Sequence, residues 1–269
     1  MLRLGCQTYT WEMLGERWQG SVDDLLAAIG GAGYTGIEIT DRMIGGYAGR
    51  PKDFASALNA HGLDLIAFAW ASASGFTEPA AFGTELAAAQ TVLNFVAKFP
   101  GAILSLGSAT IMTQGPRAAK FSAAAKIYNA IGDMGQRRGV PVGFHPSSHH
   151  NTLLGTRSDY DRIMVLTDPH LIGWVPDTGH ILRGGMDLTA TLQAYLGRVH
   201  YLHLKDADAG GRWQMLGAGI CDTKAVIDLL GQAKNFNGWL VLEEESETAA
   251  ADPAAAVRCN RQSLLTLLE

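Results

Sequence analysis

The sequence predicts one (β/α)8 barrel, a TIM barrel, that forms a single domain over residues 1–269. Short apolar segments alternate with helical patterns along the whole chain, and this alternation is typical of a parallel sheet. Eight strand-helix units fit in this length, which favours a closed barrel over an open doubly wound sheet. No low-complexity tract or sharp change of composition indicates a second domain.

Eight segments have the length and the apolar content of buried strands. They are LRLGCQ (2–7), GIEIT (36–40), DLIAFAW (64–70), AILSLG (102–107), PVGFH (141–145), IGWVPD (172–177), VHYLHLKD (199–206) and GWLVLEE (238–244).

Helical patterns separate these strands and follow the last one. They cover 21–33, 51–62, 81–98, 117–139, 158–168, 186–197, 222–234 and 252–267. Several end on glycine before the next strand, as in HGLDL, RGVPV and NGWLV, which is typical of helix C-caps. Ser158 is the expected cap of its helix, and AAADPAAA (249–256) is interpreted as a loop that leads into the last one.

GAGYTG (31–36) matches the GxGxxG pattern of dinucleotide-binding proteins. That function requires the motif after a strand and at the start of a helix. Here the motif closes a helix and leads into a strand. We therefore interpret its glycines as a helix cap and a tight turn, not as a nucleotide site.

The seventh strand combines an apolar start with a polar end. Alternation places Tyr201, His203 and Lys205 on one face, whereas His200 lies on the other. Burying charged groups without partners is costly, so the polar end is expected at a ligand, a metal or solvent. His200 is predicted to be structural and to face the helices.

Polar residues also follow the other strands, at the end where barrel active sites form. Four of them come from adjacent strands five to eight, so their side chains are expected to meet at a divalent metal. These predicted ligands are His145, Asp177, His203 and Glu243. Imidazole and carboxylate together suit Mn, Co, Fe or Zn, and the oxygen ligands also tolerate Mg.

The choice within two neighbouring groups rests on alternation and position. Glu243 and Glu245 share one face while Glu244 lies on the other, and Glu243 is deeper in the strand. His149 and His150, in the loop SSHHNT, are expected to be solvated or to contact the site indirectly. Asp177 is also a candidate cap for the turn DTGH.

Composition excludes several partners. The net charge is −5 and no run of Lys or Arg exists, so nucleic acid is not an expected partner.

The N-terminus lacks the features of a signal peptide, and no apolar stretch approaches the length of a membrane span. The three cysteines are widely spaced and contain no CxxC, which argues against disulfides and a zinc knuckle. A cytoplasmic protein is expected.

Four motif-bearing segments follow one another between Gly139 and Pro253. They are GVPVGFHPSSHH, TDPHLIGWVPDTGH, VHYLHLKDAD and GWLVLEEE. In this order they resemble the xylose-isomerase-like barrel superfamily of sugar isomerases, epimerases and dehydratases, and the resemblance covers essentially the whole chain. The branch that it resembles most is that of the inosose dehydratase-like proteins. Ser147 and Ser148 depart from the pattern of that branch, which has another histidine and a glycine-containing turn there.

The resemblance implies roles for individual positions. Asp177, His203 and Glu243 match metal ligands, and His145 stands where epimerases have a glutamate. Since epimerases use two facing carboxylates, a symmetric two-base epimerisation is not favoured. His180 matches a histidine that contacts substrate oxygens. Manganese is the expected ion, with cobalt, magnesium, iron and zinc as alternatives.

The expected reaction is dehydration or isomerisation of a keto-polyol, an inosose or a keto-sugar, through removal of an α-proton and an enolate at the metal. Glu243 or His180 would take the proton, and Lys205 would stabilise the enolate or protonate a departing hydroxyl. Glu38 is a candidate for substrate binding. Trp11, Phe68 and Trp70 are expected as apolar walls against the C–H face of the substrate.

Other functions stay open. Within the same chemistry they are a ketose 3-epimerase, an aldose-ketose isomerase of the hydroxypyruvate isomerase type, a dehydratase of a cyclic keto acid and a 3-keto-glycoside lyase. An endonuclease would need more metal ligands and a basic face. A non-catalytic sugar-binding or partner subunit is the alternative from another class. For the oligomeric state, a homodimer and a homotetramer both stay open.

Overall fold

The computed structural model describes residues 2–268, and its strands follow the predicted order. They are β1 (Arg3–Gln7), β2 (Gly36–Thr40), β3 (Asp64–Trp70), β4 (Ile103–Leu106), β5 (Val142–Phe144), β6 (Gly173–Trp174), β7 (Leu202–Leu204), β8 (Asp206–Ala207), β9 (Trp213–Gln214) and β10 (Trp239–Leu242).

Eight of these strands form one parallel sheet in the order β6-β5-β4-β3-β2-β1-β10-β7. Single parallel bridges, Trp174 with Val199 and Asp177 with His203, connect the two outer strands. The ends of the sheet are thereby brought together, and the predicted barrel is confirmed. The remaining pair, β8 and β9, is a short antiparallel hairpin after β7.

The predicted helices surround the barrel. In the described part of the chain the helices are α1 (Tyr9–Glu12), α2 (Val22–Gly31), α3 (Pro51–Ala60), α4 (Phe82–Val96), α5 (Arg117–Gln136), α6 (Arg157–Leu166), α7 (Thr178–Arg183), α8 (Leu188–Ala194), α9 (Thr223–Leu230), α10 (Glu247–Ala251) and α11 (Pro253–Leu268). Among the described residues, no helix is both long and apolar enough to cross a bilayer.

Two of the three expected glycine caps are confirmed, because Gly62 and Gly139 follow the ends of α3 and α5 with φ angles of 65° and 67°, a left-handed conformation that favours glycine. Gly238 also has a positive φ of 90°, but it is not a helix cap, since α9 ends at Leu230 and Gly238 directly precedes β10. GAGYTG lies where α2 ends and leads into β2, as expected for a turn.

Two predictions at helix ends are wrong. Thr156, not Ser158, caps α6, because its hydroxyl accepts from the amide of Asp159 while the Asp159 carboxylate accepts from the amide of Thr156. This reciprocal pair satisfies two amides that a helix start leaves free. The segment 249–256 is also not a loop, since α10 and α11 occupy most of it and break at Asp252.

The interior of the barrel is filled below the polar strand ends. Ile66, Tyr201, Trp239 and Val241 belong to a cluster of buried side chains there. A Cβ atom built on Gly36 would lie 2.7 Å from the Ile66 side chain. Such close packing requires glycine at that position.

Several strands end sooner than predicted, and they do so at the polar end. β5 stops at Phe144 and β6 at Trp174, before His145 and Asp177. Proline follows closely in both places, and its nitrogen has no hydrogen to donate to a strand ladder. The polar side chains therefore project from irregular backbone at the mouth of the barrel.

Candidate active site

The four predicted ligands lie together at the mouth of the barrel. One nitrogen or oxygen of each of His145, Asp177, His203 and Glu243 lies within 4.8 Å of those of the other three. Strand pairing explains this, because Asp177 forms a bridge with His203 and Glu243 follows the strand that pairs with β7. The sequence prediction of a shared site thus agrees with the geometry.

These four side chains could hold a metal ion. One ligand atom of each is buried without a hydrogen-bond partner among the described residues. These atoms are His145 Nε2, Asp177 Oδ2, His203 Nδ1 and Glu243 Oε2. His203 Nδ1 lies 2.8 Å from Glu243 Oε2, and His145 Nε2 lies 3.7 Å from Asp177 Oδ2. Buried polar atoms normally have partners. Two imidazole nitrogens and two carboxylate oxygens fit a divalent transition metal.

Glu38 fixes the orientation of His203. Its Oε2 lies 2.6 Å from His203 Nε2, and both side chains are 1% exposed. Gln7 donates to the other oxygen of Glu38 at 3.4 Å. A carboxylate on the far nitrogen of a histidine ligand is the usual device that sets the ring for metal binding. Glu38 also lines the cleft described below, so its predicted contact with substrate stays a prediction.

The pKa of His203 reflects these neighbours. Burial alone lowers it, but the charge and the hydrogen bond of Glu38, together with the nearby Glu243 carboxylate, outweigh burial and raise the pKa to about 10. For Asp177, burial raises the pKa, while the neighbouring rings of His180 and His145 hold it below its ordinary value. The effect of Glu38 on His203 is therefore to make its ring a stronger base, which favours binding of a proton and of a metal alike.

Lys205 lies beside the four predicted ligands in a network of carboxylates. Its Nζ lies 3.2 Å from Glu243 Oε1 and also bonds to Glu245. Burial lowers its pKa, but the charges of Glu243 and Glu245 raise it above the ordinary value, so Lys205 is a cation. Burial raises the pKa of Glu245 to about 7.

A tryptophan covers this lysine. The ring of Trp213, on β9, lies 4.0 Å from Lys205 Nζ and 5.1 Å, edge to face, from the ring of His180. Asp206 holds the segment after β9, because its carboxylate accepts from the amides of Gly217 and Gly219. An aromatic face over a desolvated cation stabilises the charge.

His180 lies in the first turn of the short helix α7. Its backbone amide donates to Asp177 Oδ1 at 2.7 Å, so Asp177 caps α7 as the turn DTGH suggested. Its ring nitrogen Nδ1 contacts Ser148, while Nε2 is buried without a partner among the described residues. Burial, which is complete here, lowers the pKa of His180 well below the ordinary value, so its ring is neutral.

A cleft of about 190 Å³ opens above these residues. His145, His180, Glu243 and Trp70 are among the residues that line it. This is a small site, suited to a ligand of monosaccharide size rather than a drug-sized molecule.

The structure does not bring the other two predicted aromatic walls to this cleft. Phe68 packs on the helical side, where its ring lies 5.5 Å from that of Phe95 on α4. Trp11 is 3% exposed and belongs to the hydrophobic core. Neither lines the cleft. Trp70 differs because it occupies the last position of β3, where the strand gives way to a loop.

The remaining histidines lie apart from the four ligands. His150 is exposed, whereas His149 is half-buried, lies 4.0 Å from Glu245 and lines the cleft. His200 packs so closely over Gly173 that a Cβ atom there would lie 1.7 Å from its ring. Its place beside α5, away from the metal ligands, fits the predicted structural role.

A scan against protein-family models matches residues 26–264 to the model described as xylose isomerase-like TIM barrel. The chain belongs to this family. The resemblance that the motifs indicated is therefore confirmed.

Relatives and solved structures add detail. An inosose dehydratase of Lactiplantibacillus plantarum is 33% identical over 48% of this chain and 48% of its own length, so the match spans about half of that protein. An inosose dehydratase of Geobacillus thermodenitrificans is 26% identical over 82% of this chain and 81% of its own. A crystal structure of the IolI protein with a bound zinc atom has a TM-score of 0.75 at 15% identity, covering 97% and 96% of the two chains. That likeness shows the fold.

Sequence reasoning missed several residues of the site. Glu245 shares a face with Glu243, so alternation was a usable signal for it. Trp213 lies on a hairpin of two-residue strands, which leaves no periodicity to detect. Gln7 and Ser148 contribute through contacts across the barrel mouth, and a single sequence does not encode such contacts locally.

Proposed function

We propose that this chain is an enzyme that depends on a divalent metal and acts on an uncharged keto-polyol, an inosose or a keto-sugar. It removes the proton next to the ketone and then either expels a hydroxyl, as a dehydratase, or returns the proton, as an isomerase. The four buried and unpartnered ligand atoms at the barrel mouth carry this proposal. The inosose dehydratase relatives favour the dehydratase outcome.

His145, Asp177, His203 and Glu243 would hold the metal, which supplies Lewis-acid polarisation of the ketone and the adjacent hydroxyl. Manganese is the first choice among the ions to test, and the zinc in the IolI structure makes zinc the second. Glu38 keeps His203 in the tautomer that leaves Nδ1 free for the metal.

The chain's own residues supply the proton transfers. Burial raises the pKa of Glu243, but the charge of Lys205 and the adjacent His203 ring hold it well below its ordinary value, so Glu243 is ionised. It also lines the cleft, where it can accept the α-proton. Lys205 does not line the cleft, but it is a buried cation 3.2 Å from Glu243, and its charge stabilises the enolate from behind that carboxylate.

The charge of the cleft favours an uncharged substrate. Glu12, Glu38, Asp41 and Glu243 line it, whereas none of the described residues that line it is a lysine or an arginine. Away from the metal, a phosphate or carboxylate group would meet like charge there without a basic side chain to pair with. Keto-sugars and inososes therefore fit better than sugar phosphates or cyclic keto acids.

Incubation with 2-keto-myo-inositol, ketoses and a 3-keto-glycoside in deuterated water tests the proposal. Forms loaded with Mn²⁺, Co²⁺, Mg²⁺ and Zn²⁺ are compared with chelator-treated protein. A new ultraviolet enone or dione signal indicates dehydration, and solvent deuterium in an unchanged skeleton indicates isomerisation or epimerisation. Glu243→Gln should abolish either signal, while exposed Glu16→Gln should keep it. Absence of metal-dependent deuterium exchange and of turnover on every substrate would overturn the proposal.

A further inference from the structure

The loop after β5 contacts the ring of His180 in a way that fixes its protons. The backbone nitrogen of Ser148 lies 3.0 Å from His180 Nδ1, and the Ser148 hydroxyl lies 2.8 Å from the same atom. A backbone N–H can donate a hydrogen bond but cannot accept one. Nδ1 must therefore present its lone pair, and the single proton of the neutral ring lies on Nε2.

The other nitrogen of the ring is left for an occupant of the cleft. His180 Nε2 is buried and has no hydrogen-bond partner among the described residues. The His180 side chain also lines the cleft. A buried N–H without a partner costs free energy that an acceptor oxygen in the cleft would recover.

We propose that Ser148 is a positioning residue whose backbone N–H holds His180 as the Nε2–H tautomer, so that His180 donates a hydrogen bond to a substrate oxygen. With both ring nitrogens engaged, His180 has no lone pair to take the α-proton. Glu243 is then the base. The part about substrate rests on the proposed function, whereas the tautomer does not.

The same tautomer restricts metal binding. His149, His180 and Glu245 form a second group whose ligand atoms lie within 4.8 Å of one another. Distances alone would allow an ion there. However, one nitrogen of His180 carries a proton, the other accepts from Ser148, and Lys205 already bonds to Glu245. Metal ligands must be deprotonated, so we expect one ion per chain and not two.

Nuclear magnetic resonance of protein labelled with ¹⁵N-histidine and loaded with Zn²⁺ tests the tautomer without any substrate. The pair of ¹⁵N ring signals that is absent from the spectrum of His180→Gln belongs to His180. We expect Nε2 protonated and Nδ1 unprotonated in the wild type and in Ser148→Ala, which keeps the backbone N–H. Ser148→Pro removes that N–H and should shift the ring toward the other tautomer. A wild-type ring with its proton on Nδ1, or an unchanged tautomer in folded Ser148→Pro, would overturn the proposal.

Kinetics give a second test that does not depend on the folding of Ser148→Pro. Glutamine places an amide N–H near the position of Nε2, so His180→Gln should keep kcat/KM within about tenfold of wild type if the ring only donates. His180→Ala should lose about 100-fold or more. Equal losses in the two variants contradict the donor role. If no substrate is turned over, the proposed function fails, and the resonance experiment still decides the tautomer.

Discussion

Replacing Glu38 by glutamine should change how strongly protons compete with a metal at His203. The pKa of His203 is raised to about 10, and the charge and the hydrogen bond of Glu38 are among the causes that raise it. The contact is short, 2.6 Å, and lies between two side chains that are 1% exposed. A metal that binds Nδ1 must therefore displace a proton at neutral pH.

The magnitude follows from the titration. At pH 8 a group with a pKa of about 10 is roughly 99% protonated, so metal binding should release about one proton from His203. Between pH 7 and pH 9 the apparent affinity should rise about tenfold per unit, or about 100-fold in total, which corresponds to about 2.7 kcal/mol. In Glu38→Gln the pKa falls, and both the proton release at pH 8 and the slope should fall to less than about half.

Isothermal titration of Zn²⁺ in buffers with different ionisation enthalpies measures the protons released. Competition with a chelator measures the slope. Glu12→Gln is the matched control, because Glu12 also lines the cleft but pairs with exposed Arg42 at 3.7 Å. A wild type that releases no proton, or a Glu38→Gln variant with the wild-type slope, would refute the reasoning.

Three further outcomes are expected. Lys205→Met removes the buried cation that Glu243 and Glu245 share and should lower the free energy of unfolding by about 3–5 kcal/mol. The control Lys224→Met breaks the exposed pair of Lys224 and Asp228, whose side chains are 79% and 64% exposed, and should change the free energy of unfolding by less than about 1 kcal/mol in the same urea titration. Thr156→Ala should lower the free energy of unfolding, measured in urea, by about 1 kcal/mol. Ser158→Ala should lower it clearly less. The reverse order would show that Ser158 caps α6. Trp70→Ala should raise KM at least about tenfold on a turned-over substrate while metal affinity stays within about twofold, and an unchanged KM would remove this ring from the substrate site.

The order of the strands and the site at their ends could be predicted from the sequence. Alternation was sufficient to place His203 inside the barrel and His200 outside it, because side chains in a strand have a period of two. It also separated Glu243 from Glu244, which bonds to Asn260 on α11. These are properties that each strand carries in its own sequence.

The parts that could not be predicted depend on contacts between distant segments. Glu38 appeared as a substrate contact, but its hydrogen bond to His203 spans 165 positions. Phe68 and Trp70 have the same parity, so alternation could not separate a ring packed on α4 from one that reaches the cleft. Short elements such as α7 and the hairpin of β8 and β9 are below the length at which periodicity is informative.

The packed interior of the barrel determines how substrate can enter the cleft and how product can leave it. Tyr201, 0% exposed, lies directly beneath His203, and Trp239, 4% exposed, fills the interior farther down. The cleft is therefore closed at its base and does not continue as a channel through the barrel. Substrate, product and any water released in the reaction must use the same opening. Product that lingers there would block the next substrate, and a competitive pattern of product inhibition is expected.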